Sequence, residues 1–319
     1  MPENVRVIPT TIPHGRTARR LEWVHLPPHV RRLVEGHCGS PVASAASQGG
    51  GFTPGFASVL TCEDGSRHFV KAASTKAQRP FAESYREEAR KLAALPEAVP
   101  APRLLWLHDA DDWVVLGLEH VEARAPRRPW RPADLDRTLT MLESAAQVLT
   151  PVPGDLTLDA FEDEFADWPG FWDHLSTTRG DLPHLAEAAA LASRFAEVCA
   201  GDTVVHTDVR DDNVLLCSDG RTLLCDWNWP VRGAAWLDAF FLLIGPRGDG
   251  LDVERVLATS PLTRHVPAED VDVALALVTG YFLKCADDPV PPTSPYLRAA
   301  QRWQGEVCWD WLCERRGWA

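Results

Sequence analysis

The chain has 319 residues and a formal net charge of -13, with 32 Lys and Arg against 45 Asp and Glu. That length exceeds what one small core holds, so one large bilobal unit or two domains is expected. The excess of acid argues against general nucleic-acid binding, which needs positive charge to displace counterions; it suits plain solubility and also a cationic substrate.

Hydrophobic residues make up 45% and charged residues 24%, the balance of an ordinary globular chain. No apolar run approaches the ~20 residues of a membrane span, and the opening MPENVRVIPTTIPHGRTARR has no secretory h-region. A cytoplasmic protein without membrane or nucleic-acid partners is the expectation. The eight cysteines are scattered and form no CxxC pair, so they read as buried free thiols, and no zinc site is expected.

In chain order, residues 1 to about 26 are rich in Pro and Arg and read as an arm packed on the surface. Pro28 to His37 reads as a short helix, with Val30, Leu33 and Val34 on one face and Gly39 as its stop. Three strands follow, PVASAAS, FASVLTCED and SRHFVKA, with Gly65 in the turn between the last two. Between the first two lies Gln48-Gly49-Gly50-Gly51-Phe52. A glycine loop there can bring backbone N–H groups to phosphates, because no Cβ blocks the approach.

Lys71 ends the third strand among apolar neighbours and needs a partner for its charge. The helix Phe81 to Leu95 supplies a candidate. Tyr85, Ala89, Leu92 and Leu95 recur at helical spacing, and Glu88 falls beside them; Glu87 is the second candidate. LLWLHDADDWVVLGL reads as two more strands around a DADD turn, after which Glu119-His120-Val121 leaves the sheet.

The remainder reads as helical. Asp134 to Leu149 is amphipathic, and Leu182 to Cys199 is expected as one helix. Between them Asp155 to Asp173 carries seven acidic residues, no Lys or Arg, and Phe161, Phe165, Trp168, Phe171 and Trp172. It is either a solvated amphipathic helix or a substrate surface, its carboxylates for amines or its aromatics for an apolar or heteroaromatic ring. The thirteen tryptophans are read first as core.

The most informative stretch is Val204 to Trp229. It holds His206-x-Asp208, Asn213 five residues after that Asp, and Asp226 thirteen residues after the Asn. Val214 to Cys217 and Thr222 to Cys225 flank Asp219-Gly220 as a hairpin. One carboxylate to take a hydroxyl proton, with an amide and a second carboxylate to hold Mg²⁺, is the equipment of phosphoryl transfer.

This spacing resembles the catalytic and metal loops of the kinase superfamily, and with the glycine loop, Lys71 and Glu88 it resembles the aminoglycoside phosphotransferase branch. The resemblance runs from about residue 40 to 245. It implies an α+β, bilobal fold: an arm and short helix over 1–40, a sheet-rich lobe over 41–122 and a helical lobe over 123–319. It implies Mg²⁺ with ATP or GTP, and a small hydroxylated acceptor, with antibiotics, aminoglycosides among them, in its range. By position, Asp208 would be the base, Asn213 and Asp226 the metal ligands, and Lys71, oriented by Glu88, the phosphate holder. Gly50, Gly51 and Phe52 would cover the phosphates, and Glu119 and Val121 would read the base from the hinge.

There are departures. Arg210 stands two after the catalytic Asp, where it could neutralise the transferred phosphate or form a loop salt bridge. Asp211 and Asp212 precede the Asn and would add negative charge near the acceptor. The metal motif reads Asp-Trp-Asn. Twelve residues separate Asp226 from Asp238, which leaves no peptide-binding activation segment. The ending Glu-Arg-Arg-Gly-Trp-Ala offers no acidic terminus for amines. The competing functional class is a catalytically silent nucleotide or ligand binder, against which the complete catalytic set argues.

Overall fold

The computed structural model describes residues 6–318; the first five residues of the expected arm and the last residue of the chain lie outside them. Helix α1 (Pro28–Cys38) starts on a proline, whose fixed φ suits the first turn, and ends at Gly39 with φ 78°. Its residues Val30, Val34 and Cys38, four apart, share one face. A five-stranded antiparallel sheet follows, with β1 (Val42–Ser47), β2 (Phe56–Cys62), β3 (Arg67–Ser74), β4 (Leu104–Ala110) and β5 (Trp113–Leu118) in the order β1-β2-β3-β5-β4. Helix α2 (Arg79–Ala94) is inserted between β3 and β4.

Strand alternation gives the sheet two working faces. Phe56, Leu60, Val70, Ala72 and Val115 face α1 with Val30 and Val34. Ala73, Val114, Leu116 and Leu118 face α2 with Ala82, Tyr85 and Ala89. Lys71 lies on this second face, one residue out of phase with Val70. The β4–β5 turn is Asp111-Asp112, both left-handed (φ 52° and 66°), a conformation that Asp tolerates better than most residues.

The helical region contains α3 (Pro132–Val148), α4 (Phe161–Glu164), α5 (Phe171–Thr178), α6 (Leu185–Ala192), α7 (Phe195–Cys199), α8 (Leu237–Gly248), α9 (Val253–Thr259), α10 (Ala268–Ala286) and α11 (Leu297–Arg316). One core joins them, with Trp172, Trp227 and Trp311 fully buried. Gly280 lets α10 approach Trp172, whose Nε1 donates to the Ala276 carbonyl at 3.1 Å; a Cβ on Gly280 would lie 2.7 Å from that nitrogen. Short ladders carry the loops: β6 (Ala123–Arg124) pairs with β8 (Val214–Cys217), β8 with β9 (Thr222–Leu224), and β7 (Thr203–Val205) with β10 (Val231–Gly233). No helix among the described residues is long and apolar enough to cross a membrane.

Three local expectations change. The span 182–199 is two helices broken at Ser193-Arg194, because the chain turns to keep Leu191, Ala192, Phe195 and Cys199 in one core. The acidic stretch is no continuous helix: α4 is one turn, and Trp168–Gly170, containing Pro169, is a separate 3₁₀ turn. The arm does not simply lie on the surface. It is strung between the two lobes: the Ile8 N–H donates to the Gly248 carbonyl at 2.9 Å, Trp303 Nε1 to the Ile8 carbonyl at 2.8 Å, and the Thr17 N–H to the Gly49 carbonyl at 2.8 Å.

His14 fastens the middle of this arm, with Nε2 3.0 Å from the buried Asp211 Oδ2. The hydrogen bond to Asp211 raises the His14 pKa above its usual 6.5, although partial burial opposes it. The contribution of this pair is therefore complete below pH 6.5 and lost as pH rises through the raised value. Hydrogen exchange of residues 8–20 is expected to accelerate between pH 6 and 8.5 beyond the intrinsic rate change. The same excess in His14→Asn would show that another group is responsible.

Candidate active site

The loop between β7 and β8 is held by buried hydrogen bonds. Asp238, at the start of α8, accepts from the His206 N–H at 2.8 Å and the Thr207 N–H at 3.0 Å. Burial raises its pKa. His206 is buried; its Nε2 donates to the Cys225 carbonyl at 3.0 Å and its Nδ1 accepts the Asp208 N–H at 3.3 Å. Burial lowers its pKa and keeps it the neutral imidazole that these two bonds require. The histidine thus links the Asp208 loop to the strand end that carries Asp226.

Asp208 projects from this frame with its side chain 39% exposed. Asn213 Nδ2 donates both to the Asp208 carbonyl (2.9 Å) and to its Oδ2 (3.0 Å). Both amide hydrogens being taken, Asn213 Oδ1 is the atom left for a cation. Asp226, left-handed at φ 73°, turns its carboxylate under the sheet. Lys71 Nζ lies 2.6 Å from Asp226 Oδ1 and 2.7 and 2.8 Å from the two Glu88 oxygens. Glu87 instead pairs with Arg90 on the outer side of α2.

This triad brings together residues up to 155 positions apart. Burial alone would lower the Lys71 pKa, but Asp226 and Glu88 reverse the direction, so it stays an ammonium. Burial would likewise raise Asp226, and Lys71 outweighs it and holds that carboxyl below the usual range. Glu88, only 1% exposed and sharing its lysine, is pushed up by burial.

A cleft of about 500 Å³ opens between the lobes, bounded by Lys71, Glu88, Asn213, Asp226, Gly50 and Gly51. Glu119 and Val121 edge it where the chain leaves β5. The Glu119 N–H is committed to the Arg103 carbonyl at 2.8 Å; the Glu119 carbonyl and the Val121 N–H pair with no other backbone group among the described residues. Phe52, expected with Gly50 and Gly51, does not border this cleft. Its ring lies 5.2 Å from the Arg210 guanidinium and borders a second cavity, of about 380 Å³, which contains Asp208.

Arg210 is clamped, with Nε 3.3 Å from Asp208 Oδ1 and 3.1 Å from Asp212 Oδ1. The loop salt bridge considered from sequence is therefore present. The expected surplus of negative charge is reduced: Asp211 pairs with His14 and with Arg128, which donates to its Oδ1, while Asp212 shares the single charge of Arg210 with Asp208. Of the seven acids in the stretch Asp155–Asp173 only Glu164 reaches the second cavity, together with Phe165 and Trp168.

One cleft residue has no signal in the sequence. Arg20, on the arm, donates through Nη2 to the Gly50 carbonyl at 2.7 Å and borders the cleft. Its Nε is buried without a hydrogen-bond partner among the described residues. Thirty residues of separation and an irregular arm gave no period from which to place it.

The chain is similar in sequence family and in fold to known proteins. Residues 56–266 match the model of the family described as phosphotransferase enzyme family. No curated protein sequence matches the chain. In fold it is similar to aminoglycoside phosphotransferase APH(4)-Ia in ternary complex with ADP and hygromycin B, at TM-score 0.61 and 13% identity over 90% of this chain and 98% of that one. Choline kinase LicA from Streptococcus pneumoniae aligns at TM-score 0.57 and 11% identity, over 87% and 99% of the two chains. Macrolide 2'-phosphotransferase type I aligns at 0.53 and 15%, over 89% and 98%. At such identities the solved structures speak to fold alone, and it is the family match, spanning well over half of the sequence, that places this chain in the phosphotransferase enzyme family.

Proposed function

We propose that the protein transfers the γ-phosphoryl group of Mg²⁺-bound ATP or GTP to a hydroxyl of a small molecule. The observation that carries this reading is the joining of Lys71, Glu88, Asp226, Asn213 and Asp208 around one interlobe cleft. The donor set fits the cation: Asn213 Oδ1 and the Asp226 carboxylate are hard oxygens, the kind that Mg²⁺ takes beside phosphates. When bound, the metal–nucleotide supplies the phosphoryl group and neutralises its developing charge.

Lys71, fixed by Glu88, holds phosphate oxygens. The unpaired Glu119 carbonyl and Val121 N–H read the base edge. Asp208 orients the acceptor hydroxyl and takes its proton at the carboxylate, which the Asn213 amide keeps facing the second cavity. Arg210 positions that carboxylate; reaching a phosphate instead would mean leaving both Asp208 and Asp212.

The second cavity favours an acceptor with a flat apolar face over a polyamine. Trp168 and Tyr281 stack at 4.0 Å with 9° between planes, Phe165 adjoins Trp168 at 4.4 Å, and Trp229 stands at the rim 58% exposed. Asp208 and Asp226 are already engaged by Arg210 and Lys71, which leaves Glu164 for a cation. An ammonium without a carboxylate would lose hydration against aromatic walls, so at most one cationic group is accommodated, aided by cation–π attraction.

The test is Mg²⁺-dependent consumption of ATP and GTP against aminoglycosides, macrolides, nucleosides, choline and aryl glycosides. Acceptor-dependent turnover, strongest with ring-bearing acceptors of low charge, is expected. Nucleotide binding with no turnover on any acceptor would favour the silent binder. Arg20 adds a prediction: Arg20→Ala is expected to weaken ATP binding roughly tenfold, the size of one charge-assisted contact, and to leave adenosine binding unchanged. Equal weakening of both, measured by calorimetry, would make Arg20 a support of the loop only.

A further inference from the structure

On the face of the sheet away from the nucleotide cleft, Cys38, Cys62 and His68 converge, one ligand-capable atom of each within 4.8 Å of the others. Cys38 continues the buried Val30–Val34 face of α1 at its last turn. Cys62 ends β2, and His68, whose register partner is Leu60, shares its face of the sheet. Sequence spacing hides this group, because one member comes from a helix and the other two from neighbouring strands.

The hydrogen bonds fix the histidine tautomer. Ser66 Oγ gives its single proton to Asp64 Oδ1 at 2.7 Å, and the same carboxylate oxygen accepts the Ser66 N–H at 2.9 Å. At the 3.0 Å contact with His68 Nε2, Ser66 Oγ must then accept, so Nε2 carries the hydrogen. Nδ1 keeps a bare lone pair on a ring held through its other nitrogen. This is the outer arrangement that metal-binding histidines use.

We propose that Cys38, Cys62 and His68 bind one zinc ion, a thiophilic divalent cation that ties the end of α1 to the β2–β3 hairpin. Two thiolates and an imidazole are a zinc donor set, and in tetrahedral geometry such ligand atoms lie about 3.5–3.8 Å apart, a small contraction of the present cluster. The two cysteine thiols release two protons to solvent on binding, which balances the charge of the ion. The fourth position is left to water. Ala57, Val59, Phe69 and Lys71 line the nucleotide cleft from the opposite face, so the ion serves stability and leaves nucleotide binding alone.

The test titrates zinc into full-length, reduced, metal-stripped protein, with metal content per chain and the unfolding midpoint as readouts, and cobalt substitution to report thiolate coordination by its absorption. About one zinc per chain, a raised midpoint and an unchanged affinity for ATP are expected. Ser66→Ala is expected to weaken zinc by the roughly 10–100-fold of a lost outer partner, and Cys38→Ser and His68→Gln by at least as much. Both sites are half-buried, and the metal-free midpoints of the variants check that they fold. No uptake, uptake unchanged in Cys38→Ser and His68→Gln, or a Cys38–Cys62 disulfide in protein prepared under reducing conditions overturns the proposal.

Discussion

Replacing Asp208 with alanine is expected to lower acceptor-dependent turnover by ~10²–10⁴, the usual contribution of a positioned general base, while the dissociation constant for Mg²⁺-nucleotide changes little. The separation follows from the structure. Asp208 lies in the second cavity and outside the cleft that Lys71 and Asp226 border. Asp208 is 39% exposed and its removal leaves one Asn213 amide hydrogen without its side-chain acceptor while the bond to the residue 208 carbonyl stays, so the fold bears little of the cost. Asp208→Asn is the sharper variant, because it keeps the size and the hydrogen-bonding capacity but cannot accept the proton. Turnover above a tenth of the parent in both variants would remove Asp208 from the mechanism.

The second large effect concerns Lys71. Lys71→Met leaves Glu88, 1% exposed, and Asp226 facing each other without their shared cation. Removing one member of a buried ion pair costs about 3–5 kcal/mol. The raised pKa of Glu88 allows it to take up a proton in the variant, which holds the loss toward the lower end. Nucleotide affinity is expected to fall in the same protein, since the proposed phosphate holder is gone. Chemical denaturation separates the two effects. Lys71→Met with Glu88→Leu is expected to recover part of the stability, because the more deeply buried carboxylate is gone and only Asp226, 28% exposed, is left without its cation, and to recover none of the nucleotide affinity. If the double variant is as unstable as Lys71→Met alone, the loss came from packing and not from the stranded carboxylate.

Much of the sheet-rich lobe was readable because its signals are local. Pro28, Gly39, Gly65 and the paired Asp111-Asp112 mark boundaries through their own backbone preferences, and the strands between them alternate. The order His206, Asp208, Asn213, Asp226 is local as well, since all four flank one hairpin. Glu88 over Glu87 was decided by helical phase alone, and the 2.7 Å contact with Lys71 agrees with it.

What failed to show in the sequence depends on distant packing. The break at Ser193-Arg194 answers to the common core, not to propensity. Phe52 follows the glycines in sequence but faces the second cavity, because its carbonyl is held by Ser294 and its ring by Arg210. Asp211 looks like free charge until His14 and Arg128 are brought to it from other segments. The acidic stretch looks like a cation site until a broken helix turns all but Glu164 away from the cavity. The amino-acid sequence determined the chemistry available and its local order around Asp208; the tertiary structure decided which charges remain uncommitted, because neutralisation depends on distances between segments that no local period encodes.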